Sequence, residues 1–111
     1  MQTEDVPTEI SEDGIRIDMG GFQAKDASVR IIFIKRDGAF GLSVSFFDDD
    51  ENIIGVPKTR EVREETKKTI YVSWSGEDNM KNRICRYAII KSDTKGIIIR
   101  AKKDLISREK Q

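Results

Sequence analysis

The chain has 111 residues, enough for one domain built on one hydrophobic core. Charged side chains make up 36 % of it, but 20 basic and 20 acidic residues cancel, so the cationic excess usual in a free polyanion binder is missing. The absence of histidine and the presence of one cysteine, Cys85, exclude His-activated nucleophiles, His metal sites, four-cysteine zinc and an internal disulfide.

Residues 1–13 are acidic and polar, contain Pro7 and show no apolar periodicity; they are expected to form a disordered acidic arm and not a secretory signal. In "GIRIDM", Ile15, Ile17 and Met19 alternate with Arg16 and Asp18, which predicts a strand. The segment "SVRIIFIKRDGAFGLSVSFFD" predicts a hairpin, with Asp37 and Gly38 as a type I′ turn and Arg36 opposite Ala39. That register gathers Val29, Ile31, Phe33, Phe40, Leu42, Val44 and Phe46 on one apolar face. Arg30, Ile32, Ile34, Ser43, Ser45 and Phe47 fall on the other.

"FFDDDENIIGVP" reads as a second hairpin, or as a strand, a turn and a short strand ending before Pro57. This is a general pattern of immunoglobulin-like sandwiches and identifies no family. "KTREVREETKK" has no apolar stripe, so an exposed helix or a charged connection is expected. In "TIYVSWS", Ile70, Val72 and Trp74 alternate with Tyr71, Ser73 and Ser75, as in a half-buried strand.

"RICRYAIIK" and "GIIIRAK" supply the last two strands. Asp93, Thr94, Lys95 and Gly96 suit a type I turn ending in a left-handed glycine, a three-residue hairpin loop with a G1 bulge. This register puts Cys85, Tyr87 and Ile89 with Ile97, Ile99 and Ala101 in the core. Arg86, Ala88 and Ile90 then share the outer face with Ile98, Arg100 and Lys102. Residues 104–111 are expected to form a tail or a short helix. The whole is an all-β domain over residues 14–103 with about seven strands: a small antiparallel sandwich, immunoglobulin-like or similar, or a partly open barrel.

No phosphate-binding glycine loop is present, and no cofactor is expected. The leading expectation is a non-catalytic domain that recognises a macromolecule, first of all a protein, through a sheet face or edge. The alternative is single-stranded nucleic-acid binding by Arg86, Arg100 and Lys102, with Tyr71 stacking on a base. Against it stands pairing of those cations with Glu64, Glu65 or the acidic run at residues 48–51. A third reading places a divalent cation, and an activity depending on it, at Asp48, Asp50 and Asn52. The EF-hand pattern fails there, since Ile53 stands where glycine is required.

Cys85 reads as a core residue, not a nucleophile. No apolar run reaches the roughly 20 residues that span a bilayer, so no membrane contact is expected. The single cysteine suits a reducing, cytoplasmic setting, and the Ile, Lys and Glu content resembles that of thermophile proteins. Residues 1–55 hold 12 acidic and 5 basic side chains, and residues 56–111 hold 8 and 15, a polarity that suits self-neutralisation, homo-oligomerisation or a basic binding face.

Overall fold

Period-two alternation places one row of side chains on each side of a strand, and residues 15–47 and 69–103 largely obey it. In the computed structural model, which describes residues 6–104, eight strands form. They are β1 (Thr8–Glu9), β2 (Ile15–Gln23), β3 (Ser28–Lys35), β4 (Phe40–Phe47), β5 (Lys58–Val62), β6 (Thr69–Ser73), β7 (Ile84–Ser92) and β8 (Ile98–Lys103). Two short 3-10 turns, Ala24–Asp26 and Asp78–Met80, are the only helical pieces among the described residues.

Two four-stranded antiparallel sheets pack as a sandwich, with orders β1-β8-β3-β6 and β2-β7-β4-β5 and no closed barrel. Val29, Ile31 and Ile99 of the first sheet meet Ile17, Leu42, Val44, Phe46 and Ile90 of the second in one core. Each is at most 2 % exposed, so each large side chain contributes on the order of 1.5–3 kcal/mol of burial.

Residues 46–54 turn back on themselves as predicted, with Phe47 bridged to Ile53, but the hairpins predicted around Gly38 and Gly96 are instead arches between the sheets. β3 and β4 lie in different layers, and so do β7 and β8. Val29, Ile31 and Phe33 are buried with Phe40, Leu42, Val44 and Phe46 as predicted, but they face one another across the core rather than lying side by side. Asp37 keeps negative φ while Gly38 is at +64°, so the link is not a type I′ turn. Gly96 has the predicted left-handed φ, +85°, but serves an arch.

β7 departs furthest from its predicted sorting. Ala88 and Ile90 are fully buried; Tyr87 stands opposite Phe47 and Asp18 on the outer face, and Ile89 opposite Arg16 and Ser45. Tyr87 is only 7 % exposed because Phe47 stacks on it at 4.9 Å and the Arg16 guanidinium covers it at 3.6 Å. Cys85 is buried as predicted.

Two further segments differ from expectation. Residues 8–10, assigned to the disordered arm, hold strand β1 and the buried Ile10, whose N–H donates to the Ile97 carbonyl. The charged stretch from Lys58 begins as edge strand β5. Residues 105–111 lie outside the described residues, as do residues 1–5 of the arm.

The pairing of β3 with β6 and of β4 with β7 matches the central pairs of an immunoglobulin sandwich. The terminal strands do not match. In that fold the first strand pairs with the second and the last with the penultimate; here β2 pairs with β7 and β8 pairs with β3, so the two have exchanged sheets. The exchange puts the basic β8 in the centre of its sheet, beside β3.

Candidate functional site: a cationic sheet face

The outer face of the β1-β8-β3-β6 sheet is assembled by register. Lys102 stands opposite Arg30, which stands opposite Tyr71, giving a row across β8, β3 and β6. In the adjoining row Arg100 stands opposite Ile32, and Ile32 opposite Thr69. Strand spacing of about 4.8 Å spreads each row over about 10 Å, and cations two residues apart on β8 are about 7 Å apart. Ile98 continues the face, and Ile34 is thrown outward where the β3–β8 register shifts between Phe33 and Lys35.

No carboxylate occurs on β3, β6 or β8. Among the described residues, acidic groups border the face at its ends: Glu9 opposite Ile98, and Asp104, whose N–H donates to the Ser28 carbonyl. Arg30 and Lys102 form no ion pair with any described residue. The Arg30 Nε is covered and has no hydrogen-bond partner among the described residues. Like charges directly opposite one another on neighbouring strands are destabilising. Tyr71, on edge strand β6, is 50 % exposed. Its backbone carbonyl accepts a hydrogen bond from Arg60 Nη2 of β5 at 2.7 Å, a tie between the edges of the two sheets that fixes the strand bearing the ring.

Arg86 does not join this face. It lies on β7 in the other sheet, hydrogen-bonded through Nε to Asp49. Asp49, and more weakly Asp18, push its pKa upward and hold the guanidinium charged. The guanidinium lies against Gly21, where a Cβ would come within 2.8 Å of it. Gly20 and Gly21, at φ +76° and +83°, form the irregularity that shifts the β2–β7 register. Arg86 therefore takes the self-neutralising course set out above for the three cations, while Arg100, Lys102 and Tyr71 come together. Arg30 is the member that parity alone does not single out; its outward position is legible, but its neighbours are not, because β8 lies beside β3 and not β7.

The acidic turn at residues 48–52 is built around Asp48. Its Oδ1 accepts the N–H groups of Asp50 and Asn52, each at 2.9 Å, and its Oδ2 pairs with Arg83. These donors, led by the Asn52 N–H, hold the carboxyl below its usual range. Glu51 adopts φ +66° to close the turn. Asp50 is exposed, and Asn52 uses its backbone, which accepts from the Asp48 N–H at 3.0 Å. Among the described residues, no three His, Cys, Asp or Glu side chains converge as a metal site would require.

A shallow depression of about 490 Å³ lies on the other sheet, lined by Gly41, Ser43, Thr59, Glu61, Lys91 and Asp93. Asp93 there accepts the Gly41 N–H at 2.9 Å and the Thr94 hydroxyl at 3.0 Å, which lower its pKa. Burial pushes the Cys85 thiol up to about 11, opposite to what a nucleophile needs. No described helix is long and apolar enough to cross a membrane. No protein-family model, no curated protein and no solved structure matches the chain.

Proposed function

We propose that the chain is a non-catalytic binding domain that recognises an anionic macromolecule through the outer face of β8, β3 and β6. One observation carries this reading. Lys102 and Arg30 are held directly opposite each other, with no carboxylate on any of the three strands to offset the repulsion. A local conflict of this kind is expected where function, rather than stability, selects the residues. The Asp49–Arg86 and Asp48–Arg83 pairs support it by contrast, since neutralisation operates elsewhere in the same molecule.

Retention on immobilised heparin, a generic polyanion, tests the reading. The wild-type chain is expected to bind at low salt and to elute as salt rises. The triple variant R30Q/R100Q/K102Q is expected to lose retention, and the control K81Q/K91Q/K95Q, altered on exposed lysines outside the face, to keep it. Circular dichroism confirms that both are folded. Equal retention of the two variants, or no retention of the wild type, overturns the proposal.

A further inference from the structure

We infer that the anionic partner is a single-stranded nucleic acid, laid across β8 and β3 with a base stacked on Tyr71. The inference rests on the binding face proposed above and adds to it the role of the ring and of the half-buried aliphatics. A purely electrostatic site needs cations alone. Here the row Lys102–Arg30 ends in an aromatic ring that is half exposed, on an edge strand where the face is open on one side.

The adjoining outward residues are Ile32, opposite Arg100, and Ile98, between Lys35 and Glu9, half-buried aliphatic surface beside the cations. A double helix presents phosphates to a sheet and hides its base faces, so Tyr71, Ile32 and Ile98 would find nothing to contact. A single strand offers phosphates and unstacked bases together, and base–aromatic stacking tolerates any sequence. An acidic protein also matches the cations and packs on tyrosine rings, so it is the competing outcome of the test below. The two rows, about 10 Å wide and about 7 Å apart along β8, suit a short segment of a few nucleotides.

Fluorescence anisotropy with a labelled dT15, an abasic phosphodeoxyribose chain of the same length and a 15-base-pair duplex tests the inference at low salt. The wild type is expected to bind dT15 more tightly than either competitor, with affinity falling as salt rises. Tyr71→Ala is expected to weaken dT15 binding about 5- to 150-fold and to leave abasic binding unchanged, while Tyr71→Phe keeps the wild-type affinity. If dT15, the abasic chain and Tyr71→Ala all behave alike while R30Q/K102Q still abolishes heparin binding, the nucleic-acid inference falls and the binding face stands, with an acidic protein or polysaccharide as the partner. If R30Q/K102Q leaves both dT15 and heparin binding unchanged, both readings fall.

Discussion

Asp48 and Asp93 are placed as turn-builders, and each carboxylate accepts backbone N–H groups that favour its charged form. Both folded-state pKa values lie below the unfolded value of about 3.9. Their stabilising contribution is therefore complete above about pH 4 and is lost as pH falls through the folded-state values. Asp93→Asn is expected to lower the melting temperature at pH 6, and the gap from wild type should narrow as pH falls below about 4. A gap that stays constant over that range would show that the carboxylate charge is not what the Gly41 N–H binds. Cys85 gives a second expectation at this scale. With its thiol pushed up to about 11 and fully buried, it should react with an aromatic disulfide reagent at pH 8 only after denaturant is added. Immediate reaction of the native chain would place it at the surface. Lys102 gives a third. Lys102→Gln removes a like-charge contact with Arg30, so it is expected to raise stability by about 0.2–1 kcal/mol while weakening polyanion binding. Urea denaturation reads the first effect; a loss of stability would indicate that Lys102 has a structural partner.

Strand β6 is tied to the opposite sheet by its following residue. Trp74 donates its Nε1–H to the Ile54 carbonyl at 2.9 Å, and its backbone N–H reaches the Ala27 carbonyl at 3.0 Å. Gly76 leaves the room the indole needs, since a Cβ there would lie 2.6 Å from its Cζ2. Gly76→Ala is expected to cost about 1–3 kcal/mol by overpacking, and Trp74→Phe about 1 kcal/mol by leaving a carbonyl unbonded. Chemical denaturation checks both, and an unaffected Gly76→Ala would mean that the indole does not close that end of the sandwich. At the same scale it is clear why alternation revealed the core but not the pairing. A hairpin within a sheet and an arch between sheets both need inward residues at every second place, so β3, β4 and β8 were sorted correctly while their partners were not. β5 was illegible because three of its five residues are exposed at an edge, leaving no alternation to read. In β7 a tyrosine stands outside and an alanine inside; only the cover given by Phe47 and Arg16, both distant in sequence, makes that arrangement favourable.

The two halves of the sequence carry opposite charge, but the molecule does not divide that way. Each sheet draws two strands from either half, so Arg83 and Arg86 of the basic half neutralise Asp48 and Asp49 of the acidic half. The place of the cationic face is set by the exchange of the terminal strands, which seats β8 next to β3 and away from the acidic turn. Net charge therefore conceals the feature that matters, the separation of a face whose strands β3, β6 and β8 carry no carboxylate from a self-paired one. The candidate face was legible in part: Arg100, Lys102 and Tyr71 could be named from parity, whereas Arg30 could be added and Arg86 removed only once the sheets were known. The most direct measurement is a titration of the ¹⁵N-labelled chain with dT15 and, separately, a heparin oligosaccharide at low salt, followed by amide chemical shifts. With both ligands, perturbations should concentrate at Arg30, Ile32, Tyr71, Arg100 and Lys102 and fade as salt is added. Perturbations confined to the turn at residues 48–52 or to the outer face of β2 and β7, or no perturbation at all, would contradict it.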